Sequence, residues 1–148
     1  MRGLMRREFH WTREPWREEQ GRWTGEDRGD YGAVVRFEGV VRAVEAGRRI
    51  RGLEYTAYEA MARHQFEKLF DGAGQRWPAL GAVVVVHRLG FVPSGETSLW
   101  VLVAAPHRSE ALVACGWLID EMKRWVPIWK QPVWEDPLPP EPVGGESC

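Results

Sequence analysis

Cysteine is scarce in this sequence, and hydrophobic runs of membrane-spanning length are missing from it. The 148-residue chain has two cysteines, Cys115 and Cys148, which form neither a CxxC pair nor a zinc-ligand spacing. No stretch approaches the roughly 18 apolar residues of a membrane span, and the charged N-terminus is not followed by the apolar run of a signal peptide. We therefore expect no disulfide framework and no membrane partner, and a location in the reducing cytoplasm.

An excess of charge of one sign is also missing. The net charge is −1, with 44% hydrophobic and 28% charged residues, which is typical of a soluble globular protein. Without a strong basic excess, nucleic acid is not an expected partner. Residues 1–130 nevertheless hold 20 basic and 17 acidic side chains, whereas residues 131–148 hold four acidic and no basic ones.

The length is that of a single domain, and composition predicts three regions. Residues 1–30 are polar, contain three tryptophans and show no clear period, so we expect a loosely structured arm. Residues 31–131 carry the patterned segments of a folded domain. Residues 132–148 are acidic and rich in proline, which is typical of an extended or disordered tail.

Hydrophobic periodicity predicts four strands and two helices. The strands cover residues 32–41, 49–57, 82–88 and 97–105, the helices cover 58 to about 70 and 109–126, and a loop is expected over 42–48. Two buried helical stripes are predicted. Their members are Ala62, Phe66, Leu69 and Ala73 in the first helix, and Leu112, Cys115, Ile119, Met122 and Val126 in the second. The order β-β-α-β-β-α predicts an α+β fold, with helices on one face of a mainly antiparallel sheet.

Motifs of several common enzyme classes are missing from the chain. It contains no Walker loop, GxGxxG, HExxH or GxSxG. The four histidines lie far apart in the sequence and form no metal-ligand spacing, so we expect neither a metal site nor a bound cofactor. Cys115 falls on the predicted buried stripe and is interpreted as an inert core residue rather than a nucleophile.

Lysine is rare where arginine is abundant. Arginine supplies 17 of the 20 basic side chains, and the three lysines are Lys68, Lys123 and Lys130. Two of these fall within eight residues, and lysine differs from arginine because it can lose its proton and act as a base or nucleophile. The alternative is that Lys123 and Lys130 are ordinary charges near a helix C-terminus, where cations are favoured. The sequence leaves both interpretations open.

A second group of cations lies where the fourth predicted strand turns into the second helix. His107 and Arg108 stand at this turn, where unpaired backbone N–H groups and the helix dipole favour anions. The alternative is that Ser109 caps the helix and its two neighbours are merely exposed. Arg42, which follows the first predicted strand, is a third candidate, although taken alone it is more simply interpreted as a solvated loop charge, and its value depends on whether it faces the other two groups.

Helix geometry separates the two groups of cations. His107 and Lys123 are 16 residues apart, almost all of them in the predicted helix, which places them about 24 Å apart. One small ligand therefore cannot contact both in one chain. Either the sites are separate, or two copies of the helix run antiparallel across a two-fold axis, so that His107 of one protomer meets Lys123 of the other.

Five segments together carry a family pattern. They are Gly32-Ala-Val-Val-Arg-Phe-Glu-Gly-Val-Val-Arg42, Tyr55-x-x-Tyr58-Glu-x-Met61, His87-Arg-Leu-Gly90, Pro106-His-Arg-Ser109 and Lys123-x-x-Val-Pro-Ile-Trp-Lys130. In this order, over about residues 30–131, they resemble the large, catalytic subunits of molybdopterin synthases, the MoaE family. The resemblance implies an α/β-hammerhead fold and makes residues 31–131 the catalytic domain.

The resemblance also implies partners and a reaction. Family members are homodimers, and each dimer binds two small ubiquitin-like sulfur-carrier subunits to form a heterotetramer. The carrier ends in Gly-Gly with a thiocarboxylate, and the substrate is cyclic pyranopterin monophosphate (precursor Z). Two sulfur atoms are transferred to make the dithiolene of molybdopterin, the cyclic phosphate opens, and no metal or cofactor is needed.

Site residues follow from the matching motif positions. The implied catalytic residues are Lys123 and Lys130. Lys123 would act beside the carrier's C-terminal carbonyl as acid/base or electrostatic catalyst, and Lys130 would hold the substrate at the reacting centre, with Gln131 as a weaker candidate. The implied substrate-binding residues are Arg42, His107, Arg108, Lys123, Lys130 and Gln131, with His107 and Arg108 supplied across the dimer interface.

The chain departs from the family pattern after the second lysine. Family members usually carry a basic, Trp-containing stretch there, whereas this chain has no basic residue after Lys130, although Trp134 is present. An alternative function is therefore a non-catalytic binding or assembly module on the same fold.

Overall fold

The computed structural model describes residues 5–17 and 29–136. Eight strands and two helices lie within these ranges. In chain order they are β1 (Arg6–Thr12), β2 (Ala33–Val40), β3 (Val44–Glu45), β4 (Arg48–Ala57), α1 (Glu59–Arg76), β5 (Ala82–Arg88), β6 (Gly90–Pro93), β7 (Thr97–Ala105), α2 (Arg108–Trp125) and β8 (Ile128–Trp134). The four predicted strands and both predicted helices are confirmed, while β1, β3, β6 and β8 were not predicted.

The large sheet has the strand order β1-β5-β7-β2. Strand β1 runs parallel to β5, and the other two pairings are antiparallel. The main core includes one side of this sheet together with buried positions of α1 and α2. Residues of β5 and β7 that point away from the helices, among them Ala82, Leu102 and Ala104, form a second cluster with Tyr31 and Val34. The prediction of an α+β fold with a mainly antiparallel sheet and helices on one face is confirmed.

The predicted helical stripes hold fully for α1 and only in part for α2. Ala62, Phe66, Leu69 and Ala73 are all buried in α1. In α2, Leu112 is 57% exposed, so its predicted burial is wrong. Cys115, Met122 and Val126 are buried as predicted, and Ile119 is partly buried. The further buried residues of α2 are Ala111, Ala114 and Leu118. The buried stripe thus passes through two alanines. A search for a pattern of large apolar residues does not reveal them, because their side chains are small.

A small sheet forms around β4, which pairs antiparallel with β3, β6 and β8. Its own core consists of four buried residues, Val41, Ile50, Leu53 and Val92. The loop predicted over residues 42–48 contains the short β3–β4 hairpin. Its turn uses positive φ angles at both Ala46 (50°) and Gly47 (75°), the backbone twist that favours a two-residue hairpin.

Both ends of the predicted domain need correction. The interpretation of residues 1–30 as a loosely structured arm is wrong for residues 6–12, because β1 pairs with β5 and buries Phe9. Likewise, residues 132–134 belong to β8 rather than to a tail. Within these two segments, residues 1–4, 18–28 and 137–148 lie outside the described residues, and the division into three regions otherwise stays a prediction.

Candidate functional site

Arg42 and Lys130, two of the predicted site residues, lie beside the same carboxylate. Arg42 follows β2, Lys130 is in β8, and Glu45 is in β3. One guanidinium nitrogen of Arg42 lies 3.7 Å from Glu45 Oε1, and Lys130 Nζ lies 4.0 Å from the same oxygen. The fold therefore brings these two cations together, and it adds Glu45, which the sequence did not single out.

Strand alternation decides which way the residues of β8 point. Lys130 is opposite Tyr55 in the β4–β8 pairing, and Gln131 is opposite Glu54. Successive side chains of a strand lie on opposite faces of the sheet. Gln131 and Glu54 are therefore on the face away from Lys130, and both are exposed. The structure does not bring Gln131 together with Lys130 and Arg42.

Tyr55 connects the small sheet to the large one. Its hydroxyl lies 3.1 Å from Ser98 Oγ, and the Ser98 hydroxyl donates a 3.4 Å hydrogen bond to the Gly39 carbonyl. Ser98 belongs to β7 and Gly39 to β2, three residues before Arg42. This chain of contacts ties β4, the strand paired with the Lys130 strand, to β2, the strand that leads into Arg42.

His87 lies directly behind Tyr55 and is buried. Its ring meets the Tyr55 ring edge-on with centroids 5.0 Å apart, and its Nδ1–H donates a 2.7 Å hydrogen bond to the Arg88 carbonyl. Burial lowers the pKa of His87 to about 4, so the ring is neutral near pH 7. The sequence placed His87 only in a family motif, because its contacts come from residues distant along the chain.

Lys123 stands exposed in the last turn of α2, next to Arg124. The helix ends at Trp125, and the Pro127 carbonyl then accepts a hydrogen bond from the Tyr58 backbone N–H at 3.2 Å. Lys123 and Lys130 therefore flank one helix-to-strand turn. This position also suits the alternative interpretation of Lys123 as a charge that complements the helix dipole.

His107 and Arg108 lie at the opposite end of α2. His107 is the residue that precedes the first helical turn, with extended backbone angles and no side-chain capping bond. Ser109 lies inside the helix, so its predicted role as the cap is wrong. Because α2 is unbroken from Arg108 to Trp125, the distance of about 24 Å between His107 and Lys123 holds within one chain. His107 and Arg108 are thus separated from Lys123 within one chain.

The start of β2 packs tightly against this helix N-terminus. The Gly32 N–H donates a 3.2 Å hydrogen bond to the Pro106 carbonyl. A Cβ at position 32 would lie 2.7 Å from that same oxygen, closer than real Cβ contacts allow. Glycine is therefore required there, and it fixes the turn that presents His107 and Arg108 to solvent.

The Cys115 thiol, metal-ligating clusters and membrane-spanning helices are three further features that bear on function. Cys115 is 4% exposed, and burial raises the pKa of its thiol, in agreement with an inert core residue. Within residues 5–17 and 29–136, no group of three or more His, Cys, Asp or Glu side chains could hold a metal ion. In the same ranges, no helix is both long and apolar enough to cross a membrane.

Comparison with known proteins points to one family. The family model described as MoaE protein matches residues 12–125. A protein of Nostoc sp. named molybdopterin synthase catalytic subunit is 43% identical over 105 residues, which are 71% of this chain and 64% of that protein. A rice protein of the same name is 45% identical over 105 residues and is covered over 54% of its length. The chain thus spans between half and two thirds of the length of these curated relatives.

Solved structures agree with the sequence matches. The crystal structure of molybdopterin synthase from Staphylococcus aureus superposes with a TM-score of 0.77 at 35% identity, covering 85% of this chain and 90% of that one. A complex of subunits 1 and 2 of molybdopterin-converting factor from Helicobacter pylori superposes with a TM-score of 0.60 at 28% identity, covering 74% of this chain and 75% of that one.

Proposed function

Since the chain belongs to the MoaE family, we propose that it transfers sulfur from a thiocarboxylated carrier protein to cyclic pyranopterin monophosphate in the biosynthesis of molybdenum cofactor. The observation that carries the proposal is the convergence of Arg42 and Lys130 on one point of the small sheet. Two cations held close together suit an anionic phosphate, and the guanidinium can bind it with two parallel hydrogen bonds. The product would be the dithiolene of molybdopterin, made in the cytoplasm.

Lys123 takes the catalytic role in this proposal, beside the sulfur-bearing end of the carrier. The carrier sulfur bonds to a substrate carbon while a carbon–oxygen bond at that carbon breaks, and the oxygen leaves as water or stays on the opened phosphate. Water then cleaves the acyl–sulfur bond, which leaves the sulfur on the substrate and a carboxylate on the carrier. Attack by water places negative charge on the carrier's carbonyl oxygen. A fixed ammonium group nearby stabilises that charge more in the transition state than in the ground state.

A homodimer would complete the site. His107 and Arg108 cannot reach the ligand held by Lys123 in the same chain, because α2 separates them by about 24 Å. A two-fold axis with antiparallel α2 helices would place the partner's His107 and the partner's Arg108 beside Lys123 and form two equivalent sites. Leu112 and Val113, 57% and 58% exposed near this end of α2, offer apolar surface for such a contact.

The expected second partner is a small ubiquitin-like protein ending in a Gly-Gly thiocarboxylate. The complex of two subunits from Helicobacter pylori supports an assembly of this kind, because its fold matches that of this chain. Two carriers on one homodimer would give a heterotetramer. Lys123 and Lys130, on either side of the turn after α2, would then contact the incoming peptide end and the substrate respectively.

The decisive experiment mixes the purified protein with a thiocarboxylated carrier and cyclic pyranopterin monophosphate. Molybdopterin is then measured after oxidation to a fluorescent pterin. We expect product that requires all three components. Absence of product with a carrier that is active towards another synthase would contradict the proposal. It would favour the alternative, a non-catalytic binding or assembly module.

A further inference from the structure

Glu45 places a negative charge inside a site that is proposed to bind an anion. Its Oε1 lies 3.7 Å from Arg42 and 4.0 Å from Lys130, so the same oxygen faces both cations. These separations are those of ion pairs and exceed the usual 2.7–3.2 Å of a hydrogen bond. Glu45 therefore offsets the positive charge of the site through two ion pairs of this length.

The β3–β4 hairpin holds this carboxylate in position. Val44 and Glu45 pair with Arg49 and Arg48, and the tight turn between the strands puts Ala46 in the left-handed region, with φ of 50°. A residue other than glycine rarely adopts this conformation. The Glu45 side chain is 21% exposed, whereas that of Arg42 is 77% exposed. Arg42 can therefore turn towards a ligand while Glu45 stays in place.

We infer that Glu45 is a built-in counter-ion that the phosphate of the substrate displaces from Arg42 and Lys130. The inference rests on the proposed function and deepens it. With Glu45 charged, Arg42, Lys130 and Glu45 together carry one net positive charge, and an incoming phosphate competes with the carboxylate for both cations. Glu45 thereby weakens the binding of phosphate, and its effect grows with the charge of the ligand.

This dependence on ligand charge has a consequence for turnover. A cyclic phosphodiester carries one negative charge, whereas a phosphomonoester carries about −1.5 to −2 at pH 7. Opening of the cyclic phosphate would therefore increase the repulsion from Glu45 at the moment when the product forms. Glu45 favours release of the ring-opened product over release of the substrate.

The test is Glu45→Gln, which removes the charge and keeps the shape of the side chain. Removing one charge about 6 Å from a bound anion, at an effective dielectric constant of roughly 40–80, changes its affinity by about three- to tenfold. We expect inorganic phosphate to bind that much more tightly to the variant in an NMR titration at low salt. The difference should shrink at high salt, and the KM for cyclic pyranopterin monophosphate, whose phosphodiester carries a single charge, should fall by a smaller factor than the Kd for inorganic phosphate.

The control is Glu54→Gln, which removes the same kind of charge from the opposite face of the small sheet, and it should leave phosphate affinity unchanged. Unchanged affinity in Glu45→Gln would overturn the inference, since Glu45 would then be a spectator. Weaker binding would also overturn it, because Glu45 would then serve to organise the cations. The phosphate titration needs no turnover, so it decides the role of Glu45 even if the protein makes no molybdopterin.

Discussion

The two sheets of this protein differ in what they bury and in what they carry. The large sheet and its two helices share a core of 19 buried residues, whereas the small sheet has a core of four. Yet Glu45 and Lys130 belong to strands of the small sheet, and Arg42 leads into it. Most of the buried core therefore lies in the large sheet and its helices, whereas the charged cluster of Arg42, Glu45 and Lys130 lies at the small sheet.

A contact between the two sheets holds the small sheet in position on the large one. Tyr55 of the small sheet meets His87 and Ser98 of the large one through a ring contact and a hydroxyl contact. A sheet with so small a core gains its position from the larger body. Substitutions in the two regions should accordingly have different consequences.

The largest expected effect is on stability, and it uses the same substitution in both regions. Leu118 in α2 and Leu53 in β4 are each 3% exposed. Leu118→Ala should lower the free energy of unfolding by about 4 kcal/mol, and Leu53→Ala by about 2–3 kcal/mol, since the cost depends on how much surrounding structure is left with a cavity. Urea denaturation followed by tryptophan fluorescence measures both. A larger loss of unfolding free energy for Leu53→Ala than for Leu118→Ala would contradict the assignment of most of the stability to the large sheet and its helices.

The next effect is on activity and should leave stability unchanged. Lys123→Ala and Lys130→Ala should each lower molybdopterin formation by about 10²–10³-fold, the usual loss when a group that stabilises transition-state charge is removed. Lys68→Ala, the third lysine and an exposed residue of α1, is the matched control and should retain wild-type activity. Wild-type activity in Lys123→Ala would disprove its catalytic role.

The buried histidine predicts a pH dependence of stability. Burial lowers the pKa of His87 from 6.5 to about 4. Between these pH values the unfolded chain binds a proton that the folded chain does not, so folding becomes less favourable as the pH falls. His87 should reduce the free energy of unfolding by roughly 3 kcal/mol between pH 7 and pH 4.

Denaturation curves recorded at several pH values check this expectation, because they give the slope of the unfolding free energy against pH for each variant. In His87→Gln the contribution of this residue to the slope should vanish, whatever the stability of the variant at pH 7. His64→Gln, which changes an exposed residue of α1, should keep the full slope. Identical slopes in wild type and His87→Gln would show that the ring is not held neutral by burial.

The smallest expected effect concerns the contact that Tyr55 makes between the two sheets. Tyr55→Phe removes the hydroxyl that lies 3.1 Å from Ser98 Oγ and keeps the ring against His87. We expect the free energy of unfolding to fall by about 1 kcal/mol and kcat/KM by less than tenfold, because one hydrogen bond is lost and Lys130 is held less firmly. Tyr58→Phe, at a residue 68% exposed, is the control and should change neither quantity.

The same contrast explains what the sequence could reveal. Strands β5 and β7 are apolar enough to be recognised from their residues alone, as is the α1 stripe through Phe66 and Leu69. Strands β3, β6 and β8 are short or interrupted by proline, and their pairing depends on partners far along the chain. Strand β1 looks polar because Arg6, Glu8 and His10 alternate with the buried face, and because Arg7, on the same face as Phe9, forms an ion pair with Asp71.

For the candidate site, the sequence identifies residues but does not reveal how they are arranged. Arg42, His107, Arg108, Lys123, Lys130 and Gln131 were identified from motifs in the sequence. Their mutual arrangement needed the fold, which joins Arg42 to Lys130, turns Gln131 away and separates His107 from Lys123. Glu45, Tyr55 and Ser98 could not be predicted, because their importance lies in contacts between strands.

The central claim is that two copies of the chain build each site, and complementation between defective subunits tests it directly. The double variant His107→Ala/Arg108→Ala and the variant Lys123→Ala, carried on different affinity tags, are co-expressed, and the mixed dimer is purified through both tags. Each parent dimer should be inactive, whereas the mixed dimer contains one intact composite site and should have about half of the wild-type activity. An inactive mixed dimer, or a fully active monomer, would contradict the account.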